Sequence, residues 1–406
     1  MIKIFQDKRI ILGVSGSIAA YKAADLASKL TQAGAIVNGI LTEAACKFIT
    51  PLTFQSVTGK RAFTDQDLWS AEGHVLHIGL GKDADLMIIA PASANTIARL
   101  ACGFADNLLC LTALAATCPL VLAPAMDGGM YAHPATQNNI KTLQERGVHF
   151  IGPIEGRMAS GMIGLGRMAE PSEIMGELRY FLSRDGDLKG KKVVVTAGGT
   201  AEAIDAVRAI TNRSSGKQGF AIAQAALDHG GDVLLIAANT QLPTPTGAMR
   251  INVTSAKEMH AAVMDAIQDA AALIMAAAVA DFQPEITHSE KIKKENGIPQ
   301  IQLTYTPDIL ADVSRYRQHS GYPRVIVGFA AESQDLVHNA QQKLEKKNLD
   351  LIVANDISAS DAGFAVDTNR VILMDKLGKI EEQPLMSKEE VGELIIQRVV
   401  QFLGSV

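Results

Sequence analysis

Three short loops in the first half of this 406-residue chain place hydroxyl and amide side chains where an apolar run has just ended. They are GVSGSIA (13–19), LTEAA (41–45) and APASANT (90–96). Small residues such as Gly16 let a phosphate or a ring approach the backbone, and Ser17, Thr42, Ser93, Asn95 and Thr96 can replace water at its polar atoms. Any one of these loops reads equally well as a tight strand-to-helix turn with a Ser, Thr or Asn cap. Three of them ending parallel strands favour one shared, phosphate-bearing ligand. His77, in GHVLHIGLG (73–81), is a titratable candidate beside them, with a purely structural histidine as the alternative. Two other Gly-rich stretches fail as nucleotide fingerprints. SSGKQG (214–219) has no Gly five residues before Gly216 and has Gln218 where a P-loop needs Ser or Thr, and GMIGLG (161–166) has the wrong spacing for a dinucleotide turn.

The elements that must position these loops repeat. KRIILGVSGSIAA (8–20) and KKVVVTAGGTAEA (191–203) each run from a basic pair through apolar residues into a Gly-containing turn, the first strand of a doubly wound sheet. Further strands are expected at 37–41, 86–90, 120–123 and 149–152 in the first half. In the second half they are expected at 233–237, 273–277, 324–329, 350–354 and 370–374, in parallel order because helical periodicity alternates with them. The fold class predicted is α/β: two doubly wound, mostly parallel-sheet domains, flavodoxin-like over 1–182 and Rossmann-like over 191–406, joined by SRDGDLKG (183–190). Residues 284–305, charged and broken by Gly297 and Pro299, are expected to leave that rhythm as a flap.

Composition narrows the class. A net charge of -5 offers no general attraction for nucleic acid or an anionic membrane, and aromatics are only 5% of the chain. The four cysteines lack CxxC spacing, so reduced, buried thiols are expected. The N-terminal charges argue against an export signal, and Pro119 and Pro124 break the uncharged run 108–126 into a buried helix and a short strand. A cytoplasmic enzyme with small-molecule substrates is the expectation.

GVSGSIAAYK (13–22), TEAACKFITP (42–51), HIGLGKDADLMIIAPASANTIA (77–98) and PAMDGGMYAHPATQNNI (124–140) closely resemble the flavin-containing cysteine decarboxylases, in particular bacterial phosphopantothenoylcysteine decarboxylase. The resemblance implies that the first domain binds FMN through Gly16, Ser17, Thr42, Ser93, Asn95 and Thr96. It implies that His77 is catalytic and Met126 substrate-binding. In that family FMN oxidises the cysteinyl thiol, carbon dioxide leaves, and the reduced flavin returns the electrons to give 4'-phosphopantetheine. Two departures matter: Asp127 replaces the family's usual Asn, and Ser160 stands where it has a proton-donating Cys, with Met162 at the place of an aspartate. Ser is a far weaker acid than Cys, so the proton is expected from Asp127 or water. A flavin domain that is catalytically altered or only regulatory is the alternative.

VTAGGTAEAIDAVRAITNRSSGKQG (195–219), AAAVADF (276–282), EKIKK (290–294), TPDIL (306–310), VGFAAES (327–333) and KNLDLIVAND (347–356) resemble the phosphopantothenate-cysteine ligases. Succession of the two resembles the bifunctional coenzyme A biosynthesis family. It implies ligation of 4'-phosphopantothenate to cysteine using CTP and Mg²⁺ through an acyl-cytidylate, followed by decarboxylation. It also implies a homo-oligomer built from flavin-domain trimers and ligase-domain dimers. Lys291, Lys343 and Lys347 would neutralise the triphosphate. Ala276, Asp281, Pro307, Asp308, Ile309, Leu310 and Phe329 would complete the nucleotide site, with Asp281 meeting ribose, base or Mg²⁺. Arg208 and Asn212 would hold the acyl substrate, Asn212 and Lys291 acting in catalysis. The plain alternatives are a solvated charged strand at 290–294, a helix face at 343–347 and an N-cap for Asn212.

Overall fold

The structure is a computed structural model describing residues 4–69, 75–157, 161, 163–293, 295, 297–332, 336–356 and 367–404. Its chain divides into two compact units, one ending at Arg179 and one beginning at Tyr180. The first holds a parallel sheet of β1 (Arg9–Val14), β2 (Ile36–Leu41), β3 (Leu86–Ala92), β4 (Leu120–Pro124) and β5 (His149–Phe150), in the order β2-β1-β3-β4-β5. All seven residues of β3 are buried, because a central parallel strand is covered on both faces. Each fully buried Leu or Ile there contributes roughly 1.5–3 kcal/mol.

Helices α1 (Ala20–Gln32), α2 (Pro51–Thr58), α3 (Leu76–Asp83), α4 (Ala94–Cys102), α5 (Leu108–Ala115), α6 (Gly128–Ala132) and α7 (Pro134–Glu145) alternate with or follow these strands. The uncharged run 108–126 is therefore α5 followed by β4, as expected, and no helix among the described residues is long and apolar enough to cross a membrane. A hairpin of β6 (Ile154–Arg157) and β7 (Ile163–Arg167) follows, and α8 (Pro171–Ser183) carries the chain into the second unit. All four cysteines are free; Cys110 is buried, but Cys102 is exposed, contrary to the expectation of burial, because it ends α4 just before the turn at Gly103.

The second unit is built on an eight-stranded sheet. Its first strand is β8 (Lys192–Gly198), and the chain then makes a small hairpin of β9 (Ala201–Ala203) and β10 (Ala209–Thr211). Next come β11 (Asp232–Ala238), β12 (Met249–Val253) and β13 (Ala272–Met275). Strands β14 (Phe282–Pro284) and β15 (Leu303–Tyr305) pair with each other outside the sheet, so the stretch expected to form a flap leaves it as a two-stranded ribbon. The remaining strands are β16 (Val325–Glu332), β17 (Leu351–Asp356), the short β18 (Thr368–Asn369), β19 (Val371–Asp375), β20 (Ile380–Glu382) and β21 (Met386–Ser387), which pairs with β18. The sheet order is β12-β11-β8-β13-β16-β17-β19-β20.

Two expectations fail here. Strand β12 went unread because Arg250 and Asn252 interrupt its apolar pattern, as an edge strand permits. The strand expected at 370–374 is β19, and it runs antiparallel to β17, with Leu351 opposite Asp375 and Asn355 opposite Val371.

Helices α9 (Lys217–Asp228) and α13 (Lys388–Gly404) cover one face of this sheet. The other face is covered by α10 (Ala256–Ala266), α11 (Ile309–Ser320) and α12 (Leu336–Lys346). Within the stretch read as a linker, Leu188 is 1% exposed and its N–H donates to the carbonyl of His229 at 2.7 Å, so these residues are packed. Gly198 ends β8 with φ of +85°, and a Cβ there would lie 1.9 Å from the carbonyl oxygen of Ala238. Gly198→Ala is accordingly expected to cost at least about 2 kcal/mol through clash and left-handed backbone strain. Urea denaturation of the purified variant checks this, and an unchanged midpoint would refute the packing described.

Candidate functional site

In both units the polar residues gather at the carboxyl ends of the strands. In the first, Ser15 fastens two loops: its hydroxyl donates to the carbonyl of Pro91 at 2.8 Å and accepts from the N–H of Ser93 at 2.8 Å. Ser15 is 1% exposed. Sequence reading passed over it because nothing in GVSGSIA distinguishes it from Ser17; only the buried end of β1 does. Ser93 caps α4, accepting from the Thr96 N–H at 3.3 Å, with its hydroxyl 3.1 Å from that of Thr96. Thr42 accepts from the N–H of Ala45 at 3.2 Å, and Ser17 from that of Ala19 at 3.2 Å.

Around these groups lies a cavity of about 680 Å³ lined by Gly16, Ser17, Thr42, Ser93, Asn95, Thr96 and Met126, with Lys47 and Arg99 at its border. All six residues expected to hold a cofactor thus line one space. Gly16 is required for it: a Cβ there would come 2.6 Å from that of Ala44. A second cavity of about 480 Å³ shares Ser17, Ala125 and Met126 with the first and adds Lys22, Asp127, Arg157 and Arg167. Asp127 caps α6, accepting from the Gly129 N–H at 3.0 Å. Lys22, 5% exposed, donates to the Met168 carbonyl at 3.1 Å and to Glu170 at 2.9 Å. The hydrogen bond from Lys22, reinforced by Arg167, holds the Glu170 carboxyl below its usual range. Neither lysine nor arginine was read from the sequence, where nothing ties 22 to 167–170.

His77 sits in the first turn of α3 and lines neither cavity; its Nδ1 is buried with no hydrogen-bond partner among the described residues. Ser160 and Met162 lie outside the described residues.

In the second unit a cavity of about 900 Å³ is lined by Asn212, Ala276, Asp281, Pro307, Asp308, Ile309, Leu310, Phe329, Lys343 and Lys347. Lys343 donates to the Phe329 carbonyl at 2.8 Å, and Lys347 is paired with Asp308, which caps α11 through the Ala311 N–H. Burial pushes the Asp308 carboxyl up, but Lys347 and the Ala311 N–H outweigh it and leave the pKa lowered. Asp281 is exposed, and among the described residues no cluster of three or more His, Cys, Asp or Glu could hold a metal.

Lys291 and Arg208 do not line this space. Arg208 is bound at 3.2 Å to Asp205, whose carboxylate also accepts from the N–H groups of Val207, Arg208 and Ile292. Although burial raises the Asp205 pKa, these donors bring it below the ordinary value. Asp205 thereby ties the EKIKK segment to the β9-β10 turn. The Asn212 amide is engaged as well, its Nδ2 donating to the carbonyls of Ala278 at 3.2 Å and Val279 at 3.0 Å. In this arrangement Asn212 clamps the loop after β13 and has no N–H left for a substrate oxyanion.

Residues 5–183 match the family described as Flavoprotein, and residues 188–403 match the DNA/pantothenate metabolism flavoprotein C-terminal domain. Fold and site together therefore define a flavoprotein unit followed by a pantothenate-metabolism unit. Coenzyme A biosynthesis bifunctional protein CoaBC of Bacillus subtilis is 45% identical over 98% of this chain and 97% of its own length. That of Vibrio cholerae is 44% identical over 97% of this chain and 98% of its own length. A solved C-terminal domain of a CoaBC protein is 35% identical, covering 55% of this chain and 100% of its own, with a TM-score of 0.47. The chain belongs to the CoaBC family of bifunctional coenzyme A biosynthesis proteins.

Two outcomes are expected. Ser15→Ala leaves the Ser93 N–H and the Pro91 carbonyl unpaired, a penalty of about 1–3 kcal/mol, and should weaken flavin binding about tenfold, measured by fluorescence titration. Equal affinity would show that Ser15 does not shape the loop. Asn212→Asp sets a carboxylate against two carbonyls and should slow both pyrophosphate release and transfer to cysteine, each by more than tenfold, in single-turnover assays. Slowing of the transfer step alone would restore an oxyanion-donor role for Asn212.

Proposed function

We propose that this chain ligates 4'-phosphopantothenate to cysteine with CTP and Mg²⁺ and then decarboxylates the product with FMN. The observation that supports the reading is that all six residues expected for the flavin line one cavity, and the residues expected for the nucleotide, Lys291 excepted, line another, each at the carboxyl edge of its own sheet.

The first site suits FMN by its donor set and by the glycine contact at Ala44 that only a residue without a side chain permits. Ser17, Thr42, Ser93, Asn95 and Thr96 would hold it. Bound FMN supplies the two-electron oxidation of the cysteinyl thiol that makes loss of carbon dioxide possible. The chain's own part is to seat the substrate beside it: the second cavity shares Met126 with the first and carries the cations Lys22, Arg157 and Arg167, suited to an anionic substrate. Asp127 borders the same space and is the group proposed to move the proton that Ser160 is too weak an acid to supply. His77 is proposed to act where its unpartnered Nδ1 can take a hydrogen bond.

In the ligase reaction the substrate carboxylate attacks the α-phosphate of CTP, pyrophosphate leaves, and cysteine's amine then displaces CMP. Lys343 and Lys347 lie where triphosphate charge would need neutralising, and Lys347 already rests on Asp308. A single exposed carboxylate, Asp281, suits Mg²⁺, which is ordinarily held by one or two carboxylates plus substrate phosphates and water. Lys291 would reach this site only by movement of the ribbon that carries it. The exposed apolar side chains Phe48, Leu52, Phe104 and Leu114 of the first unit are consistent with the homo-oligomer proposed.

The test begins with purified protein: a flavin visible spectrum, and pyrophosphate release that requires CTP, Mg²⁺ and phosphopantothenate. Lys343→Gln is expected to raise the KM for CTP more than tenfold, whereas His77→Asn should keep flavin and ligase activity but lose decarboxylation. A colourless protein that stays so with added FMN, or His77→Asn with full decarboxylation, would overturn the corresponding assignment.

A further inference from the structure

The second cavity of the first unit carries three cations, and two of them are already held. Lys22 is buried and donates to Glu170 at 2.9 Å, and Arg167 donates to the same carboxylate at 2.6 Å. Arg167 is confined further by packing across the hairpin over Gly156, where a Cβ would lie 3.1 Å from its Cδ. Arg157 lines the same space, is exposed, and has no hydrogen-bond or ion-pair partner among the described residues.

The position of this third cation suggests what it meets. Arg157 ends β6, opposite Ile163 of β7. Strand β7 is fastened to the wall shared with the flavin cavity, because the Met126 N–H donates to the carbonyl of Gly166 at 3.0 Å and Met126 borders both spaces. A substrate that reaches the flavin past Ser17 and Met126 must present its cysteinyl end there, and the thiol and the carboxylate belong to that one residue. The carboxylate then faces a lining that contains Asp127, whose ionised side chain has no proton to donate and carries charge of the same sign. Such a group needs a cation beside it. A guanidinium meets a carboxylate through two parallel N–H···O bonds, which an ammonium cannot do.

We propose that Arg157 binds the carboxylate of phosphopantothenoylcysteine, the group that leaves as carbon dioxide, and so makes the first unit prefer its substrate to its own product. This rests on the decarboxylase reading above and adds to it the residue that reads the cysteinyl end. Once carbon dioxide has left, Arg157 has no anion to hold at that end. The product, 4'-phosphopantetheine, keeps the phosphate and the thiol but is bound without this contact.

The experiment compares two ligands that differ only in that carboxylate, using the flavin-loaded full chain: the KM for phosphopantothenoylcysteine and the inhibition constant of 4'-phosphopantetheine. Arg157→Gln should raise the KM roughly 10- to 100-fold, as expected for loss of a charge-assisted contact, and leave the inhibition constant unchanged. Arg157→Lys, which keeps the charge without the fork, should recover part of the loss. An unchanged KM in Arg157→Gln would overturn the proposal. Equal weakening of both ligands would overturn it as well, by placing the phosphate at Arg157 instead. Wild-type protein that releases no carbon dioxide from phosphopantothenoylcysteine would overturn the decarboxylase reading, and calorimetric titration of the same two ligands would still decide whether Arg157 holds the carboxylate.

Discussion

A parallel strand covered by helices on both faces has room for a polar side chain only where a neighbour hydrogen-bonds it, as the Ala277 N–H does Thr196 of β8, and this one constraint decides where chemistry is possible in the chain. Every residue of β3 is buried, and Val193, Val194 and Val195 of β8 are 0% exposed. A polar group within such a strand that found no partner would lose water without regaining hydrogen bonds, at a cost of several kcal/mol. The first positions at which hydroxyls, amides and charges can be set are those just beyond the carboxyl ends, where helix N-termini also point. Both cavities lie there. The internal stapling by Ser15 and by Asn212 follows from the same constraint, since loops of irregular backbone at a buried edge need side chains to satisfy them.

That constraint also explains what was legible in the sequence. Apolar runs interrupted by small polar loops mark the central strands and their carboxyl ends, which is why Ser17, Thr42, Ser93, Asn95 and Thr96 of GVSGSIA, LTEAA and APASANT meet at one cavity. Edge and returning strands were harder. Strand β12 has polar residues because its outer side is open, and the direction of β19 depends on a connection whose sequence carries no period. Cations reaching a site from distant elements were illegible for another reason: Lys22 meets Glu170, and Lys388 and Lys217 line one cavity, across separations that only the fold closes. Lys291 and Arg208 show the converse, residues suited by type that the chain holds away from the cavity by the carboxylate of Asp205.

The two units assign electrostatics differently. In the first, cations compensated by a carboxylate, Lys22 and Arg167 around Glu170, border the space proposed for an anionic substrate. In the second, cations stand on both faces of the sheet around a cavity large enough for two anionic reactants at once. Joining two like-charged molecules, a triphosphate and a carboxylate, requires that positive charge be in place before they meet. Decarboxylation of one bound molecule requires less of it.

The central claim is that both sites of this chain act on one molecule in sequence. Its most direct test is the ratio of carbon dioxide to pyrophosphate released by flavin-loaded protein from CTP, 4'-phosphopantothenate and cysteine labelled at the carboxyl carbon. The account predicts one carbon dioxide for each pyrophosphate once the intermediate reaches steady state, with Ser160 in place of the family's cysteine. Pyrophosphate released with phosphopantothenoylcysteine accumulating and no labelled carbon dioxide would contradict it, and would leave the first unit a flavin-binding domain without the second reaction.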